Sequence, residues 1–166
     1  FKAPHYAFHL EHVLATFPDA RFVVTHRDPV KTIPSWASLL SILQPEGSLE
    51  KVGPATLAAR AAEHQAIGMR RMIEARARIG EDRFLDVHHH EFVADPIGVL
   101  RRVYDFMGMT LSDATRDAMA AWSDDNRPGT RGKHIYAVEQ FGLTEQGLRD
   151  QFAFYTDKYG VKPERI

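Results

Sequence analysis

Arg27 and Ser35 stand eight residues apart in RDPVKTIPS, directly after the apolar run Phe22-Val23-Val24. An arginine fork and a serine hydroxyl both donate hydrogen bonds, and the pair suits a phosphate oxygen. The run before them has the β-branched, apolar character of a buried parallel strand. Asp28-Pro29 is a helix start, with Asp as the cap and Pro at the first helical position. Ligands of open parallel sheets bind beyond the carboxyl ends of the strands, which is where Arg27 would stand. A carboxylate partner for Arg27, with Ser35 as a plain helix-surface residue, accounts for the same pattern equally well.

A second basic group runs from Asn126 to His134 and holds Arg127, Arg131 and Lys133 with Gly129 and Gly132. Glycines let backbone N–H groups approach an anion, and the cations add charge. It is not a Walker A loop. Arg127 stands where that motif has its first glycine, and His134 follows Lys133 in place of Ser or Thr. A solvated basic loop is the competing account. In FKAPHYAFHLEH, Lys2, His5, His9 and His12 gather within a short stretch. Pro4 sets His5 at or before a helix start, and no Asp or Cys joins the histidines at ligand spacing, so a metal is not expected. In His88-His89-His90 a strand would point His89 away from its neighbours. That run is expected to be structural or to pack against a ligand.

The elements that must position these residues alternate. Residues 1–20 predict a loop and then a helix of about three turns, stopped by Pro18. Arg21 to Thr25 predicts a strand, and the helix opened by Asp28-Pro29 runs to about Leu43. Residues 48–80 are the most helical, with Leu57, Ala61, His64, Ile67, Gly68, Arg71 and Met72 at three- and four-residue spacings and Gly80 as the stop. Arg83 to His88 predicts a second strand. Asp95-Pro96 opens another helix, residues 112–122 form one more, and Asp124 to Lys133 is a polar loop. A last helix begins at Leu143-Thr144-Glu145. Strands separated by helices point to an α/β protein with a parallel sheet. Two strands alone make a poor sheet, so further strands are expected outside the two recognised.

Composition narrows the classes. The chain has 166 residues, 44% of them hydrophobic and 26% charged, enough for one domain with a core. Its net charge of −1 provides no global attraction to nucleic acid or membrane, so an anion site must be a local cluster. There is no cysteine, which excludes disulfides and thiolate metal sites and fits a reducing compartment, the cytoplasm. No apolar run approaches the ~18 residues of a membrane span.

Taken in order, these motifs resemble the sulfotransferases that use 3′-phosphoadenosine 5′-phosphosulfate (PAPS), in their bacterial branch. Arg27 to Ser35 is similar to the R-(x)₇-S segment that binds the nucleotide 3′-phosphate in that family. Arg127-Pro128-Gly129-Thr130-Arg131-Gly132 is similar to the R-x-G-x-x-G loop that clamps the same phosphate. FKAPH resembles the lysine-containing stretch before the 3′-phosphate strand, and FLDVHHHEFVADPIGVLRRVYDFMGM resembles the strand, acidic turn and helix between the two phosphate motifs. The resemblance covers nearly the whole chain. It implies a helix-rich, P-loop-NTPase-like three-layer α/β fold with a parallel sheet, and residues 1–166 as one sulfotransferase domain. The Gly-, Ser- and Thr-rich loop that cradles the 5′-phosphosulfate has no match here. It is expected upstream of Phe1, in an N-terminal remainder of the same protein.

The resemblance further implies sulfuryl transfer from PAPS to a hydroxyl or amine of a small-molecule, glycan or lipid acceptor, without a metal. It assigns the cofactor-binding roles to Arg27, Ser35, Arg127, Gly129, Arg131, Gly132 and Lys133. His89 stands where many members have a tyrosine near the adenine. Lys2 is expected near the bridging oxygen and His5 as the base, with His9 second. Acceptor choice is expected from residues 44–80. Trp36 and Trp122 are candidates for an acceptor pocket, although large aromatics on helices are more often core. The alternatives are a non-catalytic nucleotide-binding module and a helical interaction domain in which Arg27 and Arg127 form only salt bridges.

Overall fold

The computed structural model describes residues 2–44, 51–126 and 137–164. The described residues fall into two compact units. One takes those of Phe1–Ala20, Arg27–Glu81 and Tyr136–Ile166, and the other those of Arg21–His26 and Asp82–Ile135.

The smaller unit carries the sheet. β1 (Phe22–His26) and β2 (Phe84–His88) pair in parallel, with Phe22 opposite Phe84 and His26 opposite His88. These are the two strands expected from sequence, and they form the two-stranded sheet of the described residues. The register stacks the Phe22 and Phe84 rings with centroids 5.0 Å apart, a cross-strand aromatic pair that holds a short parallel ladder together. Phe84, Val87 and Val99 are buried. Two helices follow β2: α4 (His89–Ala94) and α5 (Pro96–Phe106). Asp95 starts α5 by accepting from Gly98 N at 2.8 Å. α6 (Asp113–Asp125) is capped by Ser112, which accepts from Thr115 N at 3.2 Å.

The strand ends at His88, as the sequence predicts, and His89 and His90 open α4, so the His88-His89-His90 run does not alternate across a sheet. The Glu91 carboxylate draws this boundary by accepting from His88 N at 3.4 Å and from Arg102 at 3.0 Å. A carboxylate in the first turn favours helix over continued strand. Trp122 is 68% exposed, so it is not a core aromatic.

The larger unit is helical. A 3-10 turn, Pro4–Phe8, precedes α1 (Leu10–Thr16), and α2 spans Pro29–Ile42. α3 spans Pro54–Ile79, a second 3-10 turn Val138–Phe141, and α7 Glu145–Tyr159. The expected single first helix is therefore split. Pro4 favours a tight turn, and His9 leaves helical geometry at φ −140° before α1 begins. α2 buries Val30, Ile33, Pro34 and Ala37, the three- and four-residue spacing of one helix face. α3 answers with Ala58, Ala61, Ala62 and Ala66, small residues that let the two helices approach closely. Phe152 and Leu148 of α7 complete the core with Val30, Ile33, Ala62, Ala66 and Val138. Gly68 has a definite job. A Cβ there would meet the Phe8 ring at 2.6 Å, so glycine lets the His5-bearing turn lie on α3. No helix among the described residues is long and apolar enough to cross a membrane.

Candidate functional site

The chain leaves β1 at His26 and enters α2 through Arg27 and Asp28. Asp28 is 3% exposed, and its Oδ1 accepts from Val30 N at 3.0 Å, capping α2. This is the structural job the Asp-Pro pair implied. Its Oδ2 accepts from Glu164 N at 2.8 Å, and Arg149 lies 3.8 Å away. A buried carboxylate needs such partners, because an unpaired one would be costly.

The Arg27 guanidinium projects from this joint. Its Nε donates to Glu164 Oε1 at 2.8 Å and to Oε2 at 3.2 Å, and Nη2 donates to Oε2 at 2.9 Å. This is fork-to-carboxylate geometry, the arrangement that arginine also offers a phosphate. Ser35 lies on an exposed part of α2 in the same unit. So the structure contains the carboxylate partner that sequence left open, and it supplies it from the far end of the chain. Sequence offered no signal for Glu164, since 137 positions separate it from Arg27.

Lys2, His5, His9 and His12 are exposed and lie in the same unit as Arg27. The His5 ring lies edge-on to His64 of α3, centroids 6.3 Å apart, and Phe8 lies closer to His64, tilted, at 4.4 Å. His9 and His12 approach at 5.8 Å. His64 was seen in sequence only as a position on a helical stripe. No group of three or more His, Cys, Asp or Glu able to hold a metal occurs among the described residues. Arg127, Gly129, Arg131, Gly132 and Lys133 lie outside the described residues. His89 belongs to the other unit.

In that unit, His26 is 1% exposed, and its Nε2 meets Asp86 Oδ1 at 2.7 Å. This polar tie joins β1 to β2 one residue before Arg27. Arg102 adds a hydrogen bond to Asp86 O at 3.1 Å. The His88 ring lies 5.2 Å from that of His26 and 5.4 Å from that of His90. Burial pushes His88 below its ordinary pKa of 6.5, and His26 and His90 push the same way against the pull of Glu91 and Asp86. The fold thus favours neutral His88. As pH falls through about 6.5, the unfolded chain takes up this proton before the folded one, so stability drops on the acid side. Urea unfolding at pH 7.5 and pH 5.5 should show a smaller acid loss in His88→Asn than in the wild type. Equal losses would remove His88 as a source.

β1 and β2 pair in parallel, and Asp28-Pro29 caps the helix that follows β1 in the chain. The chain belongs to the sulfotransferase family, whose model matches residues 1–113. It has the helix-rich, P-loop-like α/β fold of that family. Its relatives are bacterial. It is similar to omega-hydroxy-beta-dihydromenaquinone-9 sulfotransferase Stf3 of Mycobacterium bovis and of Mycobacterium tuberculosis, at 23% identity over 99% of this chain and 43% of theirs. The crystal structure of sulfotransferase STF9 from Mycobacterium avium matches with a TM-score of 0.85 and 30% identity, over 100% of this chain and 43% of that one. Sulfotransferase STF1 from Mycobacterium tuberculosis matches with a TM-score of 0.75 and 34% identity, over 93% and 39%. The chain therefore spans less than half the length of these relatives.

Proposed function

We propose that residues 1–166 form part of one PAPS-dependent sulfotransferase domain and hold the 3′-phosphate end of the nucleotide. The observation that supports this is the Arg27 fork, which holds the two oxygens of the Glu164 carboxylate in the geometry a phosphate would need, in a chain of the sulfotransferase family. Ser35 adds a hydroxyl donor, and Arg127 with Gly129, Arg131, Gly132 and Lys133 brings cations and backbone N–H groups to the same phosphate. His89 packs near the adenine.

Sulfuryl transfer moves SO₃ in line from the phosphate leaving group to an acceptor oxygen or nitrogen. The protein's work is positioning and neutralising the charge left on the phosphate. Lys2 neutralises charge at the bridging oxygen, and His5 takes the acceptor's proton through a ring nitrogen. The relatives named for a dihydromenaquinone substrate support a lipid alcohol as the acceptor class. The cysteine-free composition suits a reducing, cytoplasmic setting.

Calorimetric titration tests the nucleotide. 3′,5′-ADP should bind at least about tenfold tighter than 5′-AMP, the worth of one charge-assisted phosphate contact. Equal affinities would sink the 3′-phosphate assignment. A sulfate-transfer assay with PAPS then separates an enzyme from a nucleotide-binding module, which would bind without transferring.

A further inference from the structure

Glu164 has no part in the chemistry above, yet its carboxylate occupies the Arg27 fork. Both carboxylate oxygens engage the Arg27 fork, at 2.8 and 2.9 Å in their shortest contacts. The segment that carries it is held in place from both sides. Gly160, at φ 60°, ends α7 in the left-handed conformation that glycine tolerates. Val161 N donates back to Thr156 O at 2.9 Å, and the Val161 side chain is buried. Three residues on, Glu164 N is hydrogen-bonded to Asp28, the residue that also caps α2. One buried carboxylate thus anchors both the helix start beside Arg27 and the backbone beneath Glu164.

We propose that Glu164 is a built-in competitor for the nucleotide phosphate, and that it sets the selectivity of the Arg27 site. This rests on Arg27 being the phosphate ligand proposed above. Glu164 occupies the Nε/Nη2 edge of the guanidinium, one of the edges that suit a two-oxygen anion. A phosphate that takes this edge uses the same donors, and binding one there releases the other. The tether makes the carboxylate's effective concentration high, so weak anions are excluded by an internal rival of equal charge. A phosphate monoester carries about −1.5 to −2 at neutral pH and three acceptor oxygens, against the single charge of the carboxylate. It displaces Glu164 where an acetate-like or singly charged anion does not. The partly exposed pair, with side chains 43% and 26% accessible, leaves room for the exchange.

Calorimetric titration of 3′,5′-ADP into wild type, Glu164→Gln, Arg27→Ala and the double variant tests this. Glu164→Gln keeps the shape and removes the charge. It should bind about threefold to fivefold tighter than wild type, the size of a partly exposed ion pair. The gain should vanish on the Arg27→Ala background, because there is then no fork to compete for. Glu164→Ala should behave like Glu164→Gln. Tighter binding that persists without Arg27, or unchanged or weaker binding in Glu164→Gln, would overturn the competition and leave the nucleotide assignment standing. Weaker binding would mean that Glu164 orients the fork for the phosphate. Failure of every variant and the wild type to bind 3′,5′-ADP would overturn the nucleotide assignment and the competition together.

Discussion

Arg27→Ala is expected to weaken 3′,5′-ADP binding by about 2 kcal/mol or more, roughly thirtyfold. The alanine removes a two-pronged donor that a water molecule replaces poorly. The loss should come from the 3′-phosphate alone, so affinity for 5′-AMP should change little. Folding should survive. The Arg27 side chain is 43% accessible and its partner carboxylate can turn to solvent, so the melting temperature should stay near that of the wild type. Arg27→Lys keeps the charge but loses the planar fork, and should recover only part of the affinity. Arg127→Ala is expected to cost a similar amount, measured by the same titration. Titrations that give wild-type affinity for Arg27→Ala would reject its role and return the residue to a salt bridge with Glu164.

Phe152→Ala is expected to lower stability by about 3–5 kcal/mol, the usual range for emptying an aromatic from a packed core. Phe152 is 2% exposed and lies among Val30, Ile33, Ala62, Ala66, Val138 and Leu148. Its removal leaves a void bordered by α2, α3 and α7, where small alanines have little freedom to collapse inward. The midpoint of urea unfolding, followed by helical circular dichroism, should move accordingly, and Phe152→Leu should lose much less. A loss below about 1 kcal/mol in the alanine variant would mean that α7 does not close this core. The effect also bears on the site. α2 carries Ser35, and α7 leads to Glu164, so a loosened core should blunt nucleotide binding without any contact to the ligand.

Much of this protein is legible along the chain because its signals are local. The run Phe22-Val23-Val24 announces β1, and Asp28-Pro29 and Asp95-Pro96 announce α2 and α5 through capping chemistry that spans only a few residues. The Ala-rich stripe of α3 repeats every three or four positions, which is a property of the helix itself. The order of Arg27, Ser35 and Arg127 carried the family resemblance, since motif spacing is preserved along a chain. The predicted strand end at His88 holds, and the helix that begins directly at His89 is the feature that sequence did not mark: His88-His89-His90 has no strong propensity for strand or helix, and Glu91 accepts from His88 N at the start of α4. The first helix is interrupted at His9, whose φ of −140° separates the 3-10 turn that Pro4 opens from α1.

By itself, then, the sequence determined the elements, their alternation, the helix caps, the absence of thiol chemistry and the family to which the phosphate motifs point. Tertiary structure alone decided the partners. Glu164 against Arg27, Asp86 against His26 and His64 against His5 are contacts between residues far apart in the chain. Such contacts depend on how helix faces and strand register bring distant segments together, and a local propensity carries no record of them. The arginine at the end of the first strand was visible from the start. That its fork already faces a carboxylate, tethered through the same Asp28 that begins the helix, is a property of the folded chain.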